Sequence, residues 1–238
     1  MNRIKYGIFL ILAFLFFLKS QAQEDRGYRI YQFPANMIPR IDGNTNDWAD
    51  FPAEYVVGTD QLWDDSKHYP EVDPKNLDVK VRVAWVKGLN RLYFLYEAYD
   101  NYWDFSLPGL HNDIFELVVD GDLSGGPFIV EQHPCPSPNR METYFNFQGV
   151  HAQNYHIFTP AEGKDWALYW GPQNWIKNLP YSNIAYSYNF KPGEPGKLIA
   201  EFWITPFDKA SAEGPEKSVE SVLSDNKKIG LTWAVIDY

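Results

Sequence analysis

The chain has 238 residues, of which 31 are acidic and 21 basic, and its formal net charge is −10. A surface of this sign repels a phosphate backbone, so we expect no nucleic-acid partner. The single cysteine, Cys135, excludes an internal disulfide, and the fold must therefore depend on its core. Aromatic residues make up 17% of the chain, enough to fill the core of a β protein and also to supply exposed rings.

The first 22 residues have the features of a secretory signal peptide. A basic start at Arg3 and Lys5 leads into an apolar run over residues 8–18, and small residues precede a predicted cleavage before Gln23. The run is too short for a membrane span, so we expect no transmembrane segment in the mature chain. We therefore predict a secreted or periplasmic protein, with a net charge of −13 over residues 23–238.

Alternating apolar and polar residues predict a series of short strands after this segment. The clearest is a hairpin of Val79 to Trp85 and Leu92 to Ala98, followed by a strand over Ile114 to Val119 whose apolar residues form one face. Trp48 is expected to be a core residue. Further strands are predicted at residues 128–131, 142–148, 154–158, 166–170, 184–190, 197–204 and 229–236, with a short helix around 218–223.

This order of nine or ten short strands, with no sustained helical periodicity, predicts an all-β fold. The expected architecture is an antiparallel β-sandwich of the immunoglobulin-like or jelly-roll type. The sequence contains no internal repeat and no low-complexity linker. Residues 23–238 are therefore predicted to form a single domain.

An acidic turn follows the strand at Ile114 to Val119. It reads Asp-Gly-Asp-Leu-Ser-Gly-Gly over residues 120–126, and its glycines permit positive φ angles. The carboxylates of Asp120 and Asp122 are ligands that a hard cation such as calcium prefers. The same composition is also typical of a plain acidic turn, and the sequence leaves both interpretations open.

Several short motifs, taken in chain order, resemble the carbohydrate-binding modules of family 9 and related exported domains of bacterial polysaccharide utilisation systems. The family's pattern continues beyond the position of Tyr238, so the resemblance implies a domain trimmed at its C-terminus or a fragment of a longer chain. The motifs that carry the resemblance are Ile41-Asp42-Gly43 followed by Trp48, the hairpin ending in Asp100, the strand Asn112 to Glu116 with Asp120 beyond it, Ile204 to Phe207, and Ile229 to Asp237.

The resemblance implies structural calcium and a site where aromatic side chains flank a saccharide. Asp100, Asp120 and Asp122 are the candidate metal ligands. The family's sugar-binding tryptophans match no particular residue here. Trp170 and Trp175 therefore stay candidates for stacking on a sugar, in addition to the residues given below. In sugar binding, rings cover the C–H face of a pyranose, and planar polar groups bind its hydroxyls. The candidates are Trp63, Trp103 and Tyr144 for stacking, and Asn112, Arg140, Glu142, Asn146 and Gln148 for hydrogen bonds.

The acidic residues also permit an enzyme, because a glycosidase needs two neighbouring carboxylates. Glu116 with Asp120 or with Glu142 would be such a pair, although no common hydrolase or nucleotide-binding motif is present. Haem ligation by methionine and histidine is not favoured by any spacing. The sequence thus predicts a secreted, non-catalytic carbohydrate-binding domain. The alternative is a hydrolase or lyase accessory protein with a carboxylate active site that the sequence does not reveal.

Overall fold

The computed structural model of the chain describes residues 27–125 and 149–238. The predicted signal peptide and the predicted strands at 128–131 and 142–148 lie outside the described residues. Inside them, no helix combines the length and apolar character needed to cross a membrane.

Most of the described chain is built from strands that form two sheets. The first sheet has the order β1-β3-β4-β9-β8, with β2 also paired to β3, and the second has the order β12-β5-β6-β7. The remaining strands, β10 and β11, pair with each other. The bounds are β1 Tyr31–Phe33, β2 Val57–Gly58, β3 Leu77–Val86, β4 Leu92–Asp100, β5 Ile114–Asp120, β6 Gln153–Phe158, β7 Ala167–Tyr169, β8 Ser182–Ser187, β9 Gly196–Ile204, β10 Phe207–Lys209, β11 Val219–Glu220 and β12 Gly230–Ile236.

The pairings confirm the all-β prediction and the hairpin of β3 and β4. They are antiparallel except for β1, which runs parallel to β3. The helix expected around residues 218–223 is wrong: Ser221 and Leu223 are buried while Val222 between them is exposed. That alternation is extended, not helical. The short helices lie elsewhere, at Thr45–Trp48, Ala53–Tyr55, Thr59–Gln61, Asn174–Lys177 and Pro215–Lys217 (all 3₁₀) and Gly149–His151 (α).

The two sheets pack face to face, which makes the domain a β-sandwich. Phe115 of β5 lies 4.8 Å from the ring of Tyr96 on β4 and 6.2 Å from that of Phe202 on β9. Leu117 and Val119 follow on the same face, as the period of two requires. The predicted inward face of this strand is therefore confirmed, and it forms the centre of the main core.

A second, smaller core covers the other face of the first sheet. The N-terminal segment places Phe33, Trp48 and Phe51 against Tyr93 and neighbouring side chains of β3, β4 and β9. Trp48 is buried, as predicted from the sequence. The strands at the centre of this sheet are consequently apolar on both faces.

One buried carboxylate fastens the N-terminal segment to this sheet. Glu201 of β9 accepts hydrogen bonds from Trp48 Nε1 (2.9 Å) and from the backbone N–H groups of Asp42 and Gly43 (both 3.0 Å). Burial raises the pKa of Glu201 even though all three donors favour its charged form. The charged form of Glu201 is stabilised only by these hydrogen-bond donors, because water does not reach the buried carboxylate.

We expect Glu201→Ala to lower the free energy of unfolding by about 3 kcal/mol or more. Each buried donor that is left without an acceptor costs roughly 1–3 kcal/mol. Urea unfolding at neutral pH measures the change. The matched control is Glu97→Ala on the neighbouring strand, which removes a half-exposed ion pair with Arg82 and should cost about 1 kcal/mol or less. Equal losses for the two variants would contradict this role of Glu201.

Candidate functional site

The outward face of the second sheet carries polar groups, of which Asn154 is buried and Glu116 and His156 are partly exposed. Even-numbered residues of β5, β6 and β12 point away from the main core, because their odd-numbered neighbours lie inside it. On β7 the outward residue is Leu168, which is paired with His156. We call this surface the outer face; its residues are Glu116, Val118, Asn154, His156, Phe158, Leu168, Thr232 and Ala234.

A hydrogen-bonded group lies at the centre of the outer face. Asn154 Nδ2 donates to Glu116 Oε1 over 3.1 Å, and His156 Nε2 lies 3.2 Å from the same oxygen. The hydrogen bond from His156 lowers the pKa of Glu116, against the effect of burial. Glu116 is therefore an oriented carboxylate, and no donor among the described residues reaches its second oxygen, Oε2.

An aromatic ring borders this group. The indole of Trp170 lies 5.5 Å from the imidazole of His156 at an interplanar angle of 33°. Its backbone N–H donates to Asn154 O over 2.9 Å, which holds the residue beside β6 after β7 has ended. Trp170 is half-buried. A partly exposed ring thus lies next to an oriented carboxylate.

A depression with a volume of about 340 Å³ opens at one end of the outer face, where Phe158 and Leu168 form part of its wall. Small-molecule sites usually measure roughly 300–1,000 Å³. The opposite wall is the loop of Leu107, Pro108 and Gly109. The depression lies next to the polar group, because Leu168 in its wall is the strand partner of His156.

Asn112, a predicted ligand residue, builds the wall of this depression from inside the protein. Its Nδ2 donates to the carbonyl oxygens of Leu107 (3.0 Å) and Gly109 (2.9 Å). Its Oδ1 accepts from Lys164 Nζ over 2.9 Å, and that ammonium also reaches Phe105 O. The side chain is fully buried and its hydrogen bonds are taken by the loop. Asn112 positions the loop and is not presented to a ligand.

Trp103 is also placed inside the protein, although the sequence made it a candidate for stacking on a sugar. It is 1% exposed, its ring stacks on Phe190 at 4.9 Å, and its Nε1 donates to Gly196 O over 3.0 Å. One face of the ring is therefore covered by protein and its polar atom is used. The physical reason is that the end of the sandwich needs a large apolar side chain to close it.

Trp63 lies at the surface, as its predicted role requires, with 68% of its area exposed. The loop around it is ordered by Asp64, whose side chain accepts from the N–H groups of Ser66 (2.8 Å) and Tyr69 (2.8 Å). The remaining candidates lie outside the described residues, so their placement stays a prediction; they are Arg140, Glu142, Tyr144, Asn146 and Gln148.

Three carboxylates meet at the start of β5. Asp100 ends β4, Asp113 immediately precedes β5, and Asp237 follows β12, and each offers an oxygen within 4.8 Å of the others. The group could hold a metal ion. The pairing of β12 with β5 brings Asp237 beside Asp113. Asp100 belongs to the other sheet, so it joins them across the packed sheets.

Hydrogen bonds satisfy these carboxylates unequally. Asp113 accepts from the backbone N–H groups of Asp104 (2.7 Å) and Tyr238 (3.0 Å), and Asp237 accepts from Asn76 Nδ2 (2.9 Å). Asp100 Oδ1 accepts from Tyr102 N, but its Oδ2 is buried and has no hydrogen-bond partner among the residues that the structure describes. A buried acceptor in that state is costly unless a cation or donor completes it.

Burial raises the pKa of all three carboxyl groups. The pKa of Asp100 rises to about 6 and that of Asp113 to about 7, and the neighbouring charge of Asp237 adds to both effects. The pKa of Asp237 is also raised, because its carboxyl group is partly desolvated beside the other two although the residue as a whole is exposed. Without a cation, the group therefore binds protons at a pH where isolated aspartates have lost them.

Asp120 and Asp122, the other predicted metal ligands, are not in this group. Asp113 lies seven residues before Asp120 along β5, which separates them by roughly 23 Å. The carboxylate of Asp120 accepts from the backbone N–H groups of Asp122, Ser124 and Gly125 over 2.7–3.3 Å. These contacts are those of an acidic turn that closes on its own backbone.

The same geometry bears on the carboxylate pair considered for an enzyme. Glu116 and Asp120 share the outer side of β5 but lie four residues apart, which corresponds to roughly 13 Å along a strand. Paired glycosidase carboxylates are about 5–9.5 Å apart. Glu142, the other partner considered, lies outside the described residues.

The solved structures similar to this chain include two from Caldicellulosiruptor kristjanssonii. One is a carbohydrate binding module of family 9 in complex with cellotriose: 11% identity, 88% of this chain and 76% of that chain covered, TM-score 0.48. The other is a module of the same family in complex with glucose: 11% identity, 75% and 70% covered, TM-score 0.40. Both belong to the family that the sequence motifs resemble. No family model and no curated protein matches the chain.

The raised pKa values predict how stability depends on pH when no cation is present. The folded chain holds protons on Asp100 and Asp113 that the unfolded chain releases near pH 3.8. Stability should therefore be greatest below that pH as far as these groups are concerned, and should fall as the pH rises through about 6 to 7. Thermal melts in a chelator between pH 5 and pH 8 measure the fall.

Asp237→Asn tests whether this fall comes from the three carboxylates. The amide oxygen can still accept from Asn76, but one charge is lost, so the fall in melting temperature with pH should be smaller. Asp122→Asn in the acidic turn is the matched control and should leave the fall unchanged. A fall of the same size in Asp237→Asn and in the unsubstituted protein would assign it to other groups.

Proposed function

We propose that this protein is a secreted, non-catalytic carbohydrate-binding protein whose ligand lies on the outer face of the second sheet. The observation that carries the proposal is the carboxylate of Glu116, oriented by Asn154 and His156 and bordered by Trp170. A pyranose needs these two features together: a fixed acceptor for its hydroxyls and a ring against its C–H face.

The depression next to this group supports the same assignment. Its apolar wall of Phe158, Leu168 and Leu107 suits the hydrocarbon faces of a sugar. Glu116 and the side chains that hydrogen-bond to it lie on one side of the depression, along the outer face. A saccharide of more than one unit would thus contact Trp170 and Glu116 with one ring and the depression with the next. Trp63, exposed on its own loop, is proposed as a further stacking contact.

We also propose that the three carboxylates at the start of β5 bind calcium. Calcium takes six to eight oxygen ligands and accepts irregular geometry, so clustered carboxylates with backbone and water oxygens suit it. The buried, unpartnered oxygen of Asp100 fits such an ion. The ion would be structural, since it would join the ends of β4 and β12 to the start of β5.

Export and the absence of catalysis complete the proposal. The basic start and apolar run of residues 1–22 support cleavage and secretion. The wide separation of Glu116 and Asp120 supports binding without hydrolysis. The second candidate, a hydrolase or lyase accessory protein, would need a carboxylate from another part of the chain beside Glu116.

Substitutions on the outer face should weaken sugar binding without unfolding the domain. We expect Glu116→Gln and Trp170→Ala each to weaken binding by about tenfold or more, since a hydrogen bond to a charged group or a stacked ring contributes roughly 1–3 kcal/mol. A glycan array followed by calorimetry on the best ligand measures this. Glu97→Gln on the other sheet is the matched control and should bind normally.

The same samples separate the two candidate functions. Incubation with the retained glycan should release no reducing sugar, and its steady appearance would favour the hydrolase. Retention of no glycan by the unsubstituted protein, with or without calcium, would overturn the carbohydrate assignment. Equal binding by Glu116→Gln, Trp170→Ala and the control would place the sugar elsewhere on the molecule.

Calcium is tested through stability. Adding calcium at pH 8 should raise the melting temperature of the unsubstituted protein, because the ion binds the deprotonated carboxylates of the folded state. The increase should shrink in Asp237→Asn and persist in Asp122→Asn. An increase that is lost in Asp122→Asn and kept in Asp237→Asn would move the ion to the acidic turn.

A further inference from the structure

Most sheet edges in the described part of the chain are short or covered. The edge strand β7 has three residues, and Lys177 Nζ donates to its Ala167 O over 2.9 Å. The edge of β8 is covered by the turn at Gly43, where a Cβ would lie 3.1 Å from the backbone of Tyr186. Short, blocked or covered edges are how soluble β proteins avoid pairing with other chains.

The edge strand β12 has none of these protections from the residues that the structure describes. It is seven residues long, and among the described residues its only strand partner is β5. The run from Ile229 to Ile236 contains no charged residue and no proline. Such a segment, extended and held in place by its neighbour, is a template for another strand.

The apolar side of this strand is incompletely covered. Leu231, Trp233 and Val235 pack against the main core but are only partly buried. The equivalent residues of the adjacent strand, Leu117 and Val119, have no exposed surface. The core is therefore thinner at this edge, and a further strand would complete its cover.

We propose that β12 is the interface for a second copy of this chain, paired antiparallel about a twofold axis. The four described strands of each second sheet would then join into one continuous sheet. A twofold pair is self-complementary, because the same residues meet from both sides. The axis would pass near Thr232 or Trp233. Odd-numbered residues of one copy must pair with odd-numbered residues of the other, because only then do the apolar sides of both strands face their cores.

The charges at the two ends of β12 favour a second copy of this chain as the partner and favour antiparallel pairing. Lys228 is exposed just before the strand, and Asp237 is exposed just after it. Antiparallel pairing brings the basic end of one copy beside the acidic end of the other. Parallel pairing would place like charges together. The strand β12, uncharged along its length and oppositely charged at its two ends, is thus complementary to a second copy of itself.

The test is the oligomeric state of the mature protein. Analytical ultracentrifugation of residues 23–238 up to about 100 µM, a concentration that saturates an association of micromolar affinity, should show a dimer. Thr232→Lys should be monomeric throughout that range, because its exposed side chain would place like charges opposite one another at the axis. Val222→Lys, which adds the same charge at an exposed position away from this edge, should remain dimeric.

The outcomes separate the edge from other surfaces. A monomer at every concentration of the unsubstituted protein overturns the proposal, and so does a dimer that persists in Thr232→Lys. Ala234→Lys, another exposed residue of the strand, is a second variant in case Thr232→Lys fails to fold. A melting temperature close to that of the unsubstituted protein shows that the loss of the dimer is not unfolding.

Discussion

The contact of Phe115 with Tyr96 and Phe202 joins the two sheets, and the candidate sites depend on it. Once Phe115 faces inward, the period of two turns Glu116 outward and fixes which groups it can meet. The same contact sets the level at which β5 begins, and so brings Asp113 beside the ends of β4 and β12. One inward ring thereby determines both the outer face and the carboxylate group.

The two sites differ in how their charges are compensated. On the outer face, Glu116 has two donors on one oxygen, and hydrogen bonding lowers its pKa. At the start of β5, three carboxylates have few donors among them, and burial raises their pKa values. The first arrangement is stable alone and suits a neutral ligand. The second is unfavourable alone and suits a cation, which is why we propose a sugar and calcium at different places.

Local pattern was sufficient to predict most of the fold. The strand and hairpin predictions at β3, β4, β5, β6 and β9 depend on alternation, which the backbone geometry imposes within a few residues. The helix expected near 218–223 failed because Val222 turns outward between two buried residues, and tertiary packing decides that choice. The parallel pairing of β1 with β3 is equally non-local and has no sequence signal.

The candidate sites were less predictable, because their members come from distant parts of the chain. Asp100 was recognised, but its partners Asp113 and Asp237 become neighbours only through the pairing of β5 with β12 and the packing of that sheet on the sheet of β4. Trp103 and Asn112 have the residue types of a sugar site, and only burial reveals their roles in packing and loop support. His156 was not a candidate for the sugar site, because only the pairing of β5 with β6 places it beside Glu116, and no sequence pattern indicates that pairing.

Asp237 also affects how the chain as a whole is held together. The hydrogen bonds of Asp113 with Tyr238 N and of Asp237 with Asn76 tie the end of the described chain to its first half. With a single cysteine, this protein has no covalent bridge between these distant segments. A cation shared by Asp100 and Asp237 would act as a reversible cross-link that closes a loop of more than half the chain. Its gain would come largely from restricting the unfolded state, as for a disulfide that closes a long loop.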